Sequence, residues 1–467
     1  MLGQNYIRGC YKTSVVKEIH GFRTAYNGSQ DYDLLLRYIE RACWREDKAG
    51  PDLTTIEHIP LVVYHWRQAP GSVSVDINNK PYAIDAAHKA VLEHIRRTER
   101  TAFIGQHPYA PLHHLVRFLP SDPVPKASII ILTQLDRKRL DTCISSILKN
   151  TNYSNYEVVV RQVGDDPGIS ETMRHWVKRD PRVKHAKGGG HGGTFNFALL
   201  NNTAVDKHVA DDTEVLVFLN DDTQIIETAW LGDMVGMAMR PDVGAVGVKL
   251  IYPNGQIQHN GIGIDRDAVA GEYALHLHRG AMRTDPGSLG RGALTHQVSA
   301  VTAACMAVRR EVFRAVKGFN AIKFPLDYND VDLCLRLLKA GYVNAVLSHI
   351  AVVHHEGGTK RLNPYQVNRT AMLASEYAVR CEHEDFVDPY GNPNKEHHFS
   401  GNVIKTFPPR PWKENRLPRS LVIGADKTDA HSLFIGGELP IRAEGDGPYL
   451  RLTEPTAEHG GSVDLRD

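Results

Sequence analysis

The 467-residue chain contains no uninterrupted apolar run of bilayer length. Its most apolar windows, Ala127–Thr133 and Val298–Val308, fall short of the ~20 residues that a spanning helix needs. Met1 to Arg8 has no apolar core of a signal peptide, and none is read there. Cysteine is sparse. Cys10, Cys43, Cys143, Cys305, Cys334 and Cys381 are scattered without a Cys-x-x-Cys pair. That argues against a disulfide framework or a zinc site and predicts a reducing, cytoplasmic setting. A peripheral membrane position stays open, although no basic amphipathic stretch argues for one. Neither charge sign is in useful excess: 55 lysines and arginines face 54 aspartates and glutamates. No nucleic-acid partner is therefore expected from bulk charge. What is present, 42% apolar and 23% charged residues, is ordinary for a globular protein. The length suits two or three folding units.

Ser121-Asp-Pro-Val-Pro-Lys126 reads as a linker, because two prolines fix an extended path. After it the pattern becomes that of a wound α/β domain. Ala127–Thr133 is a buried strand by its β-branched run. Arg139–Lys149 then places Leu140, Cys143, Ile144, Ile147 and Leu148 on one helical face. Tyr156–Val160 and Glu214–Leu219 are further strands, and the intervening helices imply parallel pairing.

An internal repeat organises the rest. Ser14-Val-Val-Lys-Glu-Ile-His-Gly-Phe-Arg23 matches Glu311-Val-Phe-Arg-Ala-Val-Lys-Gly-Phe-Asn320. Gln30-Asp-Tyr-Asp-Leu-Leu-Leu-Arg37 matches Asn329-Asp-Val-Asp-Leu-Cys-Leu-Arg336, and His58–His65 matches His349–His355. The first copy has no counterpart of the strands at 127–219 before it, so it reads as the back half of a domain. Expected units are 1–120 (partial repeat plus linker helix), 124–382 (complete domain) and 383–467. The last is a proline-rich tail wrapping the domain, with a small β extension toward its end.

Three constellations carry chemistry. Asn220-Asp221-Asp222-Thr223 follows a strand directly, where open α/β sheets bind ligands. A carboxylate there suits a hard divalent cation against a diphosphate; it equally suits a solvated turn. Asn329-Asp330-Val331-Asp332 opens a helix, where an aspartate either caps free N–H groups or accepts a proton in a cleft. His354-His355-Glu356 ends an apolar run, a place for a structural histidine or a metal ligand.

From Val124 to Arg361 the chain resembles inverting glycosyltransferases of family 2, whose fold is called GT-A. The resemblance rests on Ser128-Ile-Ile-Ile131, Ser146-Ile-Leu-Lys-Asn-Thr151, Phe195-Asn196, Leu219-Asn-Asp-Asp-Thr223 and Val243-Gly-Ala-Val-Gly-Val-Lys249. It continues through Gln258-His259, Ala300-Val-Thr-Ala-Ala-Cys305, Gly318-Phe319, Asn329–Arg336 and His354-His-Glu356. It is closest in kind to the rhamnosyltransferase-like, polysaccharide-building branch, and Pro60–Arg67 resembles the link between tandem domains there.

The resemblance implies a nucleotide-diphosphate sugar as donor, a glycan or protein acceptor and a divalent cation, Mn2+ or Mg2+. It implies metal binding by Asp222 and His354 with Asn220, His355 being a substitute, and a catalytic base at Asp330 with Asp332 close by. Thr133, Phe195, Asn196, Asn220 and Asp221 fall where the donor is gripped. Two positions depart from the family: Gln162 stands where an aspartate usually contacts the nucleoside, and Leu132 where a proline is usual. Competing readings are a nucleotidyltransferase, which lacks a reason for Asp330 and His354, and a degenerate nucleotide- or carbohydrate-binding module. The N-terminal copy is expected to be non-catalytic, shaping the acceptor cleft or a homo-oligomer contact.

Overall fold

The computed structural model describes residues 9–43, 56, 82–98, 101–134, 136–187, 195–266, 268, 273–355, 369–391, 395–398, 401–404, 421–424, 442–444 and 449–453. The tandem-link stretch Pro60–Arg67 with His65, and Glu356, lie outside the described residues.

The first residues build α1 (Thr13–Glu18), α2 (Gln30–Ala42) and α3 (Tyr82–Arg97), then a hairpin of β1 (Ala102–His107) and β2 (Ala110–Phe118). The front of the main domain follows: β3 (Ala127–Thr133), α4 (Arg137–Lys149), β4 (Tyr156–Gln162), α5 (Pro167–Arg179), β5 (Val183–Ala186), α6 (Phe197–Lys207) and β6 (Val215–Asn220). The back comprises β7 (Thr223–Ile225), α7 (Trp230–Ala238), β8 (Val243–Ile251), β9 (Ile257–His259), β10 (Ile262–Ile264), β11 (Ala274–His276) and β12 (His296–Val298). It ends with β13 (Cys305–Arg309), α8 (Arg310–Ala315), α9 (Asn329–Lys339), β14 (Val343–His354) and α10 (Arg369–Glu382). Beyond it lie a hairpin, β15 (Lys395–His398) with β16 (Gly401–Ile404), and a three-stranded sheet of β17 (Leu421–Gly424), β18 (Arg442–Glu444) and β19 (Tyr449–Thr453).

The central sheet runs β12-β14-β8-β13-β6-β3-β4-β5. The β6-β3-β4-β5 half is parallel, and antiparallel β13 joins it to the parallel pair β8 and β14. Every residue of β3 is buried because helices cover both sheet faces. Strand alternation divides it between two cores. Ile129 and Ile131 join Leu140, Ile144 and Trp176 on one face, while Ile130 joins Phe218, Phe313 and Leu337 on the other.

The hairpin was not anticipated from the sequence. It docks on α7: Arg117 Nε and Nη2 each donate at 2.7 Å to the buried Asp233 carboxylate. The backbones meet at Gly236, where an added Cβ would stand 2.0 Å from the Phe118 carbonyl oxygen.

The repeat extends to individual hydrogen bonds. In the second copy Arg336 donates to Asp332 and to the carbonyls of Val316 and Gly318. In the first, Arg37 donates to Asp33 and to the carbonyls of Ile19 and Gly21. Both turns place two consecutive residues at positive φ, His20 with Gly21 and Lys317 with Gly318. An Asp-x-x-x-Arg pair thus locks a turn to the following helix in each copy.

Candidate functional site

The sheet's register assembles the site. Thr133 at the end of β3 lies beside Gln162 of β4, and Leu132 beside Asn220 of β6. The chain then turns through Asp221 and Asp222 into β7, whose Thr223 pairs with His354 at the end of β14. The His355 N–H donates to the Asp222 carbonyl at 2.9 Å, tightening that corner. Asp222 and His354, 132 positions apart in sequence, thereby meet: Asp222 Oδ1 is 3.0 Å from His354 Nε2.

The other ring nitrogen, His354 Nδ1, lies 2.6 Å from Gln258 Oε1. A carbonyl oxygen there fixes a proton on Nδ1, so that Nε2 is the nitrogen turned toward the carboxylate. Nε2 bonds the carboxylate directly at this distance; with its proton given up, that nitrogen and Asp222 Oδ1 are spaced to serve a divalent ion as two of its ligands. Asn220 stands beside them, its Nδ2 3.4 Å from His354 Nε2. Among the described residues no three or more His, Cys, Asp or Glu side chains cluster as a metal cage. Remaining ligands would come from substrate oxygens, as is common for hard cations at phosphates.

Charge at this edge is uneven. Burial pushes the Asp221 carboxyl up to about 7, with the Asp222 and Asp136 charges adding to the effect. Burial also acts upward on Asp222, but the His354 bond and charge outweigh it and its net shift is downward.

Asp330 occupies the first turn of α9 and is half-buried. Its Oδ2 accepts from the Ala303 N–H at 3.0 Å and its Oδ1 from Val331 N–H at 2.8 Å. The Ala304 carbonyl accepts from Asn220 N–H at 3.1 Å, so residues 303 and 304 tie the carboxylate to the acidic turn. Desolvation raises the Asp330 pKa despite those donors. Tyr328, immediately before α9, sits in the left-handed region at φ 61°. Such a conformation is uncommon outside glycine and is tolerated where surroundings over-determine it.

Other expected residues are placed differently. Asp332 is fully buried; Arg336 Nε and Nη2 hold Oδ2 at 2.9 and 2.8 Å, and His383 Nε2 holds Oδ1 at 3.0 Å. Gln162 is buried and occupied: Nε2 donates to the Asp166 carbonyl, while Oε1 meets Ser170 Oγ and His185 Nε2. Asn196 caps α6 through Leu199 N–H and donates to the Ala321 carbonyl, with Phe195 half-buried beside it. Gln258 lies in one of the stretches that carry the family resemblance, and its contact with His354, 96 positions away, has no local signal.

The sequence profile described as "Glycosyltransferase like family 2" matches residues 125–372, more than half of the chain. The chain belongs to glycosyltransferase family 2. Its sheet, with a parallel front half and the acidic turn after β6, is the GT-A arrangement of that family. Protein y4gI of Sinorhizobium fredii, described as uncharacterized, is 36% identical over 406 residues, covering 84% of this chain and 42% of that protein. O-antigen biosynthesis protein RfbC of Myxococcus xanthus is 30% identical over 384 residues, covering 82% of this chain and 28% of that one. The chain thus spans less than half the length of the curated relatives it matches. Among solved structures, GalNAc-T7 with UDP, GalNAc and Mn2+ superposes with a TM-score of 0.41 at 13% identity, over 50% of this chain and 44% of that one. The mannosyltransferase PcManGT of Pyrobaculum calidifontis, in complex with GDP-Man and Mn2+, gives 0.37 at 15%, over 66% and 86%. Superpositions this loose add nothing to the family assignment. As a glycosyltransferase of family 2, the chain is a transferase acting on sugars; no helix among its described residues is long and apolar enough to cross a membrane.

Proposed function

We propose that this glycosyltransferase moves a sugar from a nucleoside-diphosphate donor to an acceptor hydroxyl in one displacement that inverts the anomeric carbon. The observation that carries the reading is the Asp222–His354 contact at 3.0 Å with Gln258 on the far side of the ring. Asp222 and His354, with Asn220, are the residues that would hold Mn2+ or Mg2+. Bound there, the ion supplies charge neutralisation for the donor diphosphate. Asp330 takes the proton of the acceptor hydroxyl as that oxygen bonds to the anomeric carbon and the diphosphate departs with its bonding electrons. Its raised pKa brings it nearer the operating range of a general base. Thr133 and Asp221 line the donor end. Asp332 is assigned to fixing α9, Gln162 to bracing the end of β4, and Asn196 to capping α6. The N-terminal copy repeats the structural pair Asp33 and Arg37 and is assigned no catalysis.

For the acceptor, a growing polysaccharide is the favoured class, since a relative covering most of this chain bears the name of O-antigen biosynthesis. Fold alone does not choose it. The test is thermal melting with nucleotide sugars, with and without Mn2+, on wild type and D222A. A ligand at 100 times its dissociation constant stabilises by about 2.7 kcal/mol. An Mn2+-dependent rise that D222A abolishes supports the reading, and NMR of the product anomer checks inversion. A folded wild-type protein that responds to no donor sinks it.

A further inference from the structure

The turn between β3 and α4 has a feature that the family's motifs do not cover. Arg139, in the first turn of α4, is held at two points by one carboxylate. Its N–H donates to Asp136 Oδ1 at 3.0 Å, the cap of the helix, and its Nε lies 3.0 Å from Asp136 Oδ2. That double hold aims the guanidinium across the sheet edge toward Asp222, whose Oδ2 is 3.7 Å from Arg139 Nη1. At that distance Nη1 attracts the carboxylate without hydrogen-bonding it. Nη1 is buried and has no hydrogen-bond partner. Directly after β3, Gln134 Oε1 is a second buried polar atom without a hydrogen-bond partner.

Buried donors and acceptors left unpaired are rare in folded proteins because each costs the desolvation it is not repaid. Two on the stretch that leads from β3 into α4, at the edge where Leu132 lies beside Asn220, mark a place shaped for a polar ligand. Arginine is suited to phosphate by its planar fork of donors and permanent charge. The approach of a diphosphate to this edge is opposed by Asp136, Asp221 and Asp222, and Arg139 is the cation already oriented among them. We propose that Arg139 is a donor-binding residue: its Nη1 donates to a phosphate oxygen of the nucleoside diphosphate, on the side opposite His354. Gln134 Oε1, at the end of β3, accepts from a hydroxyl of the same ligand. This rests on the transferase reading of the site.

Calorimetric titration with UDP, GDP and TDP, and with the matching monophosphates, in Mn2+ buffer tests it on wild type, R139K and R139M. Removing a charged hydrogen bond predicts diphosphate binding weakened about 10–100-fold in R139M. R139K keeps the charge and recovers most of the loss. The monophosphates lose less than the diphosphates. Mn2+ binding without nucleotide, followed by electron paramagnetic resonance, is unchanged or tighter in R139M, because a cation beside Asp222 has been removed. A role exercised only by orienting Asp222 predicts weaker Mn2+ binding instead and overturns the proposal. R139M that binds diphosphates like wild type also overturns it and leaves the transferase reading standing. Wild-type protein that binds no nucleoside diphosphate sinks both.

Discussion

Changing Asp332 to asparagine tests the division of labour on α9. Asp332 and Asp330 share one helical turn, yet the first is fully buried under Arg336 and His383 while the second is half-buried beside Ala303. Deleting one member of a buried ion pair costs about 3–5 kcal/mol, because the partner keeps its charge and loses its counter-ion. Here the cost belongs at the low end of that range. Arg336 is partly solvated, and its other nitrogens still reach the carbonyls of Val316 and Gly318. For a unit of 150–250 residues each kcal/mol lowers the melting temperature by about 2–4 °C, so D332N should melt roughly 6–12 °C early. Calorimetry gives that shift, and turnover per folded molecule, measured well below the transition, should stay near the wild-type value. D33N repeats the experiment in the first copy and should loosen the N-terminal helices while sparing turnover. A D332N protein that melts with wild type yet has lost its turnover would refute the reasoning and return Asp332 to the catalytic set.

D330N is expected to lose about 10²–10⁴-fold in kcat with little change in melting. Because burial raises the Asp330 pKa, the active carboxylate is lost as pH falls through that elevated value. The acid limb of the kcat profile should therefore lie above the usual aspartate range, and D330N should remove it. Gln258→Leu leaves the His354 Nδ1 proton without its acceptor and should weaken Mn2+ binding about 10–100-fold, the usual scale for an outer-sphere partner; spin-resonance titration reads it directly. G236A forces a methyl group into the Phe118 carbonyl and should cost on the order of 2–3 kcal/mol, seen as early proteolysis in the 121–126 linker; unchanged resistance would mean that the hairpin does not depend on this approach.

Sequence patterning was most informative where local physics decides. The β3 run is buried on both faces, and the Leu140 to Ile147 spacing buries one helical stripe. It also found the residues at each strand end that the sheet brings together. It could not separate Asp330 from Asp332, since both are acids in a first helical turn. A usable signal lay in the repeat: the Asp33-x-x-x-Arg37 spacing recurs as Asp332-x-x-x-Arg336, and in both copies the pair joins a turn to the helix that follows it. Gln162 looked like a substitute nucleoside contact because its partners, Asp166, Ser170 and His185, become neighbours only once α5 and β5 are in place. Arg139 and Gln258 face residues some 80 to 100 positions away, and no local pattern points there. The β1–β2 hairpin escaped because its burial follows no simple alternation.

The position of β14 sets the order of assembly. This last strand of the central sheet is inserted between β12 and β8 instead of being added at an edge. The Asp33–Arg37 lock closes over fewer than twenty residues, whereas β14 pairs with a strand begun a hundred positions earlier. Local contacts form early and distant pairings late, so on a growing chain the first copy can settle while the sheet is still open. His354 is the final residue of that late strand. A nascent or truncated chain therefore has the acidic turn but not its partner, and the site matures only when the sheet does.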